Sequence, residues 1–341
     1  MQEAEKILSK GTSLEIPWDG PVTGPLAQTA KKIVFVAMEL RNGGILGAAQ
    51  GAKEASRVIG WQMQIFDAKG DEADLQKIWK QIEELRPHGV ILGGMDSKKH
   101  GKALNRLAEL GIKLVGWHVG PDPGPIPATS VAMNVTSDVR EVSNITAMAA
   151  IVDSNGKAGV VIFTDQRFGI ARTKARLMEE AIRRCKGCKI LEVRNVSLSN
   201  VSKEMPDITR NLLSKYGSQW THALGINDLY FDYAAPILAS EGLPLSGRLH
   251  LLSAGDGSSS AYQRIMGGVY QIGTVPEPLN LQGWQLVDEL NRLFAGQSVS
   301  GYVSPVHWVM MDNVMGHGGA EYRFDPENNY RKHYKSIWLG Q

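Results

Sequence analysis

The chain has 341 residues, of which 43% are apolar and 21% are charged, and its 37 lysines and arginines nearly balance 35 aspartates and glutamates. This composition is that of a folded globular protein and excludes disordered, collagen-like and coiled-coil chains. The formal charge of +2 gives no electrostatic reason to expect a nucleic-acid partner. No apolar run approaches the ~20 residues of a membrane-spanning helix, so we do not expect the chain to be embedded in a membrane.

The first part of the chain alternates short apolar runs with helical patterns after an irregular opening. Residues 16–25 contain three prolines and two glycines, and we expect residues 1–24 to form an irregular lead-in. The patterns predict strands at 33–38, 62–66, 89–92 and 113–117, and helices at about 45–59, 75–85 and 102–110. This alternation predicts βαβ units and a parallel sheet.

A second series of βα units follows a Pro-rich stretch at residues 121–127. It opens with a strand at 130–135 and a helix at about 138–152. The patterns then predict strands at 158–163, 189–193, 221–226, 249–253 and 270–275, and helices at 169–184, 208–216, 230–240, 261–265 and 281–294. The sequence therefore predicts two successive α/β lobes of similar size.

Polar and aromatic residues follow most of the predicted strands. The carboxyl ends of parallel strands meet at one edge of a sheet, which is where ligands bind in open α/β folds. The candidate ligand-binding residues are Arg41, Asn42, Asp96, Trp117, His118, Phe168, Arg172, Asn227, Asp256 and Glu277. Singly, each also has a structural explanation, such as a helix cap or a core position. Together they favour a cleft for a sugar or polyol, because polar side chains bond hydroxyl groups and aromatic rings cover C–H faces.

The motifs of common enzymes are missing or incomplete. The first βα unit has Gly43, Gly44 and Gly47 before its helix and Asp67 after the next strand, but the G-x-G spacing of a dinucleotide site is absent. There is no phosphate-binding loop and no nucleophile elbow. The histidines are scattered without metal-ligand spacing. We therefore expect no enzyme activity, no cofactor and no metal.

The two cysteines, Cys185 and Cys188, lie between a basic helix and a strand. A redox pair of the thioredoxin type would instead begin a helix, where the thiol pKa is lowered. Two thiolates alone do not complete a zinc site. The spacing leaves either a small loop pinned by a disulfide or two free thiols, and we expect the disulfide if the compartment is oxidising.

Several segments resemble the type I periplasmic sugar-binding proteins of ABC transporters, the ribose-binding group. They include Gly60-Trp-Gln-Met-Gln-Ile-Phe-Asp67, Ala223-Leu-Gly-Ile-Asn227-Asp228, Ser253-Ala-Gly-Asp256-Gly and Gly273-Thr-Val-Pro-Glu-Pro278. The resemblance covers roughly residues 31–312. It implies a periplasmic binding protein-like I fold, with two Rossmann-like lobes, parallel sheets and a three-crossing hinge. It also implies a ligand cleft between the lobes, which close on the solute and pass it to an ABC permease without chemistry.

The resemblance matches some ligand positions and departs at others. Arg172, Asn227 and Asp256 match the arginine, asparagine and aspartate that bind ligand in the family. His118-Val119 stands where the family has Asp-Arg, and Glu277 is the nearest match to a cleft glutamine. The stacking aromatics of the first loop are absent. These departures favour a monosaccharide or polyol other than ribose.

The resemblance also predicts how the chain divides. The N-terminal lobe should hold residues 25–132 and 277–309, and the C-terminal lobe residues 133–276 and 310–330, followed by a tail at 331–341. The three crossings are predicted at Val131–Asn134, Val275–Glu277 and Trp308–Met311.

The leading hypothesis is a monomeric periplasmic solute-binding protein, with a signal peptide removed or replaced before residue 1. Residues 296–305 also resemble the periplasmic trimethylamine-N-oxide sensor-binding proteins, so the first alternative is a sensor subunit that reports a small osmolyte to a membrane kinase. A nicotinamide-dependent cytoplasmic enzyme is a second alternative.

Overall fold

The computed structural model describes residues 1–245, 247 and 249–340, and these form two α/β units. Unit 1 comprises Met1–Glu15, Asp138–Glu277 and Pro305–Phe324. Unit 2 comprises Ile16–Ser137, Pro278–Ser304 and the chain from Asp325 onward. Each unit holds one mostly parallel sheet, which confirms the predicted fold class.

The strands and helices follow the predicted alternation closely. The strands are β1 Lys32–Ala37, β2 Gln62–Asp67, β3 Gly89–Gly93, β4 Lys113–Trp117, β5 Val131–Val135, β6 Gly159–Thr164, β7 Lys189–Asn195, β8 His222–Gly225, β9 His250–Ser253, β10 Gln271–Thr274 and β11 Val309–Met310. The α-helices are α1 Gln2–Gly11, α2 Gly43–Val58, α3 Glu72–Leu85, α4 Gly101–Glu109, α5 Val139–Asp153, α6 Gly169–Arg184, α7 Val201–Tyr216, α8 Leu229–Ser240, α9 Ser259–Met266, α10 Leu279–Phe294 and α11 Tyr330–Leu339.

The strand orders place sequence-distant loops side by side. The sheet of unit 2 has the order β2-β1-β3-β4-β5, with all pairs parallel. The sheet of unit 1 has the order β11-β10-β9-β8-β6-β7, in which β11 runs antiparallel to β10 and the other pairs among the described strands are parallel. The loops after β6, β8, β9 and β10 therefore leave unit 1 at one edge.

Small residues let two helices of unit 2 approach closely. A Cβ on Gly51 of α2 would lie 2.7 Å from the carbonyl oxygen of Asn280 on α10, and one on Gly283 would lie 2.6 Å from the carbonyl carbon of Gly51. Ala48, Ala49 and Ala52 are fully buried at the same contact. Helix α10 follows the crossing after Glu277, and this packing holds it in the same unit as the sheet of unit 2.

The prediction of an irregular lead-in at residues 1–24 is wrong for its first half. Gln2–Gly11 form α1, whose Ala4 is buried and whose Ile7 and Leu8 pack on the core of unit 1. The Trp308 amide donates to the Gly11 carbonyl at 2.8 Å. The prolines that suggested irregular structure begin only after this helix.

The prediction of a C-terminal tail at residues 331–341 is wrong as far as residue 340, because α11 is part of the unit 2 core. Tyr330, Tyr334 and Trp338 are buried. The Trp338 indole stacks on Trp284 with ring centroids 5.4 Å apart and donates to Asp288 at 2.8 Å. A helix with three buried aromatic residues behaves as a core element because each ring removes a large apolar area from water.

The two terminal segments also add crossings between the units. The chain changes unit near the three predicted places, after Ser137, Glu277 and Ser304. It changes unit again after Glu15 and after Phe324, because α1 belongs to unit 1 and α11 to unit 2. Five crossings therefore replace the three that we predicted.

A disulfide joins Cys185 and Cys188, as predicted, with their Cα atoms 5.3 Å apart. It closes the short turn between α6 and β7. Among the described helices, none combines the length and the apolar composition that a bilayer crossing requires.

Candidate functional site

The strand register of unit 1 aligns four chain segments at the carboxyl edge of its sheet. Phe163 of β6, Gly225 of β8, Ser253 of β9 and Thr274 of β10 lie level with one another. Two or three residues beyond them come Asp165, Asn227, Asp256 and Glu277. We call Asp165, Phe168, Arg172, Asn227, Asp256 and Glu277 the unit 1 edge set.

Three of the predicted ligand residues are directly connected in this edge set. The Asn227 side-chain amide donates to the Asp256 carboxylate at 2.8 Å, and the Glu277 backbone amide donates to the Asp256 carbonyl at 3.1 Å. Asp256 and Glu277 are buried, and Asn227 is half-buried. The loops after β8, β9 and β10 thus bring Asn227, Asp256 and Glu277 together, the first two through their side chains and Glu277 through its backbone.

Asp228 holds the loop that carries Asp256. Its fully buried carboxylate accepts from the backbone amides of Gly257 at 2.7 Å and Ser258 at 3.2 Å, and from the Gln271 side chain at 2.8 Å. Burial raises the pKa of this carboxyl group, and the hydrogen bonds oppose that rise. This carboxylate therefore positions the neighbouring loop rather than capping α8 through its side chain.

A buried lysine lies beside the same loop. Lys174 of α6 donates through Nζ to the Ala254 carbonyl at 2.5 Å and is 3% exposed. The adjacent Gly255 has φ +129°, and a Cβ there would lie 3.0 Å from the lysine nitrogen. The positive φ therefore favours glycine at this position, and a Cβ there would also crowd the ammonium group.

The loop after β6 carries the remaining residues of the unit 1 edge set. The Asp165 carboxylate is buried, forms an ion pair with Arg167 at 2.7 Å and accepts from the Leu198 amide at 2.9 Å. The Arg167 guanidinium covers the Phe168 ring at 5.3 Å. Arg172 is exposed and donates to the Gln166 carbonyl at 2.6 Å. This loop is therefore built around one buried carboxylate and two arginines.

The corresponding edge of unit 2 is aligned in the same way. Ala37, Gly93, Trp117 and Val135 lie level across β1, β3, β4 and β5. The predicted residues at or beyond these positions are Arg41, Asn42, Asp96, Trp117 and His118, which we call the unit 2 edge set.

The first three residues of the unit 2 edge set also shape their loops. Arg41 is exposed and forms a two-point ion pair with Glu39, at 2.7 and 2.9 Å. Asn42 caps α2 by accepting from the Gly44 amide at 2.9 Å. Asp96 caps a 3-10 turn by accepting from the Lys98 amide at 3.2 Å. Both caps follow the expected behaviour of Asn and Asp before a helix.

The buried Trp117 ring packs against the His118 ring. The indole is 1% exposed, donates to the Gln282 side chain at 2.7 Å and stacks on the His118 ring with centroids 3.7 Å apart. His118 has φ +51°, a conformation that turns the chain at the end of β4. The buried Asn134 accepts from the Val119 amide at 3.0 Å and donates to the carbonyls of the next turn. His118 is thus held by an aromatic support and a fixed loop.

Lys174, Asn134 and Gln282 support these loops but were not among the residues predicted from the sequence. Lys174 lies on the same face of α6 as the apolar residues Ala171 and Met178, so only the charge of lysine favoured an exposed position. Asn134 lies inside a strand and Gln282 on a helix face. Their contacts join positions far apart in sequence. Only the strand order together with helix packing could have revealed them.

A cavity of about 760 Å³ lies on a different part of unit 1. It is lined by residues of α1, α5 and α6 and by Gly156, Cys185 and Gly187, which precede β6 and β7. Those positions are at the amino edge of the sheet. The cavity is therefore separate from the unit 1 edge set.

The family that this sequence matches agrees with the fold and with the polar residues that follow the strands. Residues 33–298 match the family described as periplasmic binding protein domain. The chain belongs to the periplasmic binding protein family. Members of this family are binding proteins and are usually periplasmic. The match covers most of both units and ends within the loop that follows α10.

Solved structures similar to this periplasmic binding protein share its fold at low sequence identity. A sugar ABC transporter protein from Yersinia enterocolitica has a TM-score of 0.76 at 17% identity, covering 92% of this chain and 98% of that one. An ABC transporter solute-binding protein from Agrobacterium vitis, bound with α-D-tagatopyranose, has a TM-score of 0.75 at 14% identity, covering 86% and 99%. The glucose-galactose binding protein GanP from Geobacillus stearothermophilus has a TM-score of 0.73 at 17% identity, covering 84% and 99%. No curated protein sequence matches the chain.

Proposed function

We propose that this protein is a periplasmic solute-binding protein that captures a monosaccharide or related polyol and delivers it to an ABC permease. In this proposal the ligand binds residues at the carboxyl edges of the sheets, and no bond in the ligand is made or broken. The protein acts as a monomer. The agreement of family and fold supports a binding role, and the chemistry of the edge residues supports the ligand class.

The observation that carries the proposal is the linked group of Asn227, Asp256 and Glu277 at the carboxyl ends of three adjacent strands. Carboxylates accept hydrogen bonds from sugar hydroxyls, and an amide both donates and accepts. Arg172 adds a donor with no acceptor capacity. A polyol, whose vicinal hydroxyls each donate and accept, satisfies such a mixture.

Unit 2 supplies the complementary features. Asp96 adds a carboxylate, and His118 adds a flat ring supported by Trp117. We propose that one face of the His118 ring lies against the ligand and that the Trp117 ring stacks on its other face. The sugars named for GanP and for the Agrobacterium vitis protein agree with this ligand class.

A thermal-shift screen tests the proposal. The purified protein is heated with pentoses, hexoses, polyols, trimethylamine N-oxide and NAD, each in separate samples. A ligand that binds only the folded state stabilises it, by about 2.7 kcal/mol at 100 times its dissociation constant. We expect stabilisation by at least one sugar or polyol. Stabilisation by the amine oxide alone would favour the sensor role, and stabilisation by NAD alone would favour an enzyme; either result contradicts the proposal.

A further inference from the structure

We propose that Asp153, His222 and His250 of unit 1 form a zinc-binding site. We call these three residues the His–Asp cluster. Each offers one ligand atom, and the three atoms all lie within 4.8 Å of one another. The cluster is at the amino edge of the unit 1 sheet, whereas the unit 1 edge set is at the carboxyl edge. Zinc binding is therefore independent of the proposed sugar site.

The fold brings the three ligands together from three elements. His222 and His250 are the first residues of the adjacent parallel strands β8 and β9, and they are direct register partners. Side chains of register partners project from the same face of a sheet. Asp153 is the last residue of α5. A metal ion here would join the end of this helix to the starts of two strands.

The distances leave room for a metal ion after small movements. The same Asp153 oxygen, Oδ2, lies 2.9 Å from His222 Nε2 and 2.5 Å from His250 Nδ1. Zinc takes nitrogen ligands at about 2.0–2.1 Å and carboxylate oxygen at about 2.0–2.2 Å, so tetrahedral ligand atoms lie about 3.3 Å apart. The oxygen must therefore withdraw by less than about 1 Å from each ring. The Asp153 and His250 side chains, 31% and 27% exposed, have the freedom to make this change.

A second hydrogen bond prepares His222 to bind a metal. Its Nδ1 lies 2.8 Å from the Thr221 hydroxyl oxygen, which also accepts from the Gly159 amide at 2.9 Å and can donate to the Gly159 carbonyl at 3.4 Å. In this structure Nε2 donates to the Asp153 carboxylate; when a metal replaces that bond, the ring can carry its proton on Nδ1, donate it to the Thr221 hydroxyl and offer the Nε2 lone pair to the metal. Histidine ligands of metals are commonly fixed by such an outer hydrogen bond.

The donor set and its exposure favour zinc. Two imidazoles and one carboxylate are ligands that zinc accepts in three-ligand sites with an open fourth position. His222 is buried, whereas Asp153 and His250 reach solvent, so an ion can enter and a water molecule can complete the tetrahedron. On binding, the proton on each ligating nitrogen moves to the other ring nitrogen or to solvent, because only neutral imidazole coordinates the metal.

Zinc titration of the full chain tests the site. The protein is stripped with a chelator, kept free of reductant so that Cys185 and Cys188 remain joined, and titrated with Zn²⁺ in a calorimeter. We expect one Zn²⁺ per chain and, with Co²⁺ as a probe, the intense visible absorption of tetrahedral cobalt. The variants His250→Gln and Asp153→Asn should each weaken Zn²⁺ binding by at least the ~10- to 100-fold loss typical of an outer-shell substitution.

Controls separate this site from adventitious binding. His88→Gln removes an exposed histidine of unit 2 and should leave Zn²⁺ affinity unchanged. Circular dichroism verifies that each variant is folded. Absence of Zn²⁺ binding, or one-site binding that persists in the His250→Gln/Asp153→Asn double variant, would show that the cluster is a hydrogen-bonded group only. The result of the zinc titration does not depend on whether the protein binds sugar, so either proposal can fail while the other holds.

Discussion

Asp228 shows how one buried carboxylate can fix a loop of the proposed binding site. It binds the backbone of Gly257 and Ser258 and thereby fixes the position of Asp256. The Asp228 carboxylate accepts the bonds from both of these backbone amides. In Asp228→Asn, a side chain whose oxygen still accepts from Gln271 would point its own N–H group at the two backbone amides, which are themselves donors. Removing an acceptor from a buried donor costs about 1–3 kcal/mol.

We therefore predict that Asp228→Asn lowers the free energy of unfolding by about 1–3 kcal/mol and also weakens ligand binding. Urea denaturation and calorimetric titration measure the two effects. Asp207→Asn changes an exposed carboxylate on α7 of the same unit and serves as the matched control. Unchanged ligand affinity in folded Asp228→Asn protein would show that the Asp256 loop does not need this anchor.

At the scale of elements, the segment from Pro305 to Phe324 places two buried histidines close to the chain that follows α1. His307, His317 and Phe324 pack together with ring centroids 5.1–5.7 Å apart. Burial lowers the pKa of His307 to about 4 and also lowers the pKa of His317, which lies beside the backbone of Thr12 and Ser13. Both rings are therefore neutral in the folded state near neutral pH.

This predicts a loss of stability in mild acid. Below the ordinary histidine pKa of about 6.5 the unfolded chain takes up a proton at residue 307 that the folded chain excludes until about pH 4, so stability falls as the pH falls through this range. Between pH 7.5 and 5.0 His307 alone should account for about 2 kcal/mol. Urea unfolding at both pH values should show a smaller pH effect for His307→Gln than for unaltered protein or for His88→Gln. Equal pH effects in all three proteins would contradict this account.

The elements that the sequence predicted well are those with strong periodic patterns. The helix at 169–184 has the predicted bounds because its buried residues recur at helical spacing. The strand at 113–117 has them because it is a short run buried on both faces of its sheet. Helix α1 was not predicted because its helical pattern is short and because the prolines that follow it favoured an irregular segment. Helix α11 was missed because its aromatic residues pack on α10, a contact that the local pattern does not contain.

The candidate site was predictable only in part for the same reason. Asn227 and Asp256 could be assigned to one edge because parallel strands end together. The pairing of His222 with His250 depends on β8 and β9 being neighbours in register, which periodicity does not show. The burial of Lys174 and the contact between Trp117 and Gln282 depend on how helices pack on the sheets. The sequence pattern thus predicted which residues follow the strands, but it did not predict the buried residues that hold those loops in place.

At the scale of the whole molecule, we propose that residues at the carboxyl edges of the two sheets bind the sugar. Each unit offers its own residues at the carboxyl edge of its own sheet, and the loops on both edges are already ordered by hydrogen bonds within the unit. Fixed polar groups lose little freedom when a ligand arrives, which favours tight binding. Each charged hydrogen bond to the sugar should contribute roughly 1.5–3 kcal/mol.

Calorimetric titration of the most stabilising sugar into four proteins is the most direct test: unaltered protein, Asp256→Ala in unit 1, Asp96→Ser in unit 2, and the exposed control Asp207→Ala. Serine at position 96 retains a helix cap while removing the carboxylate. We predict one sugar per chain, and an affinity loss of about 10- to 150-fold in Asp256→Ala and in Asp96→Ser but none in the control. Full affinity in either folded variant of the edge sets, or the absence of sugar binding to unaltered protein, would contradict the account.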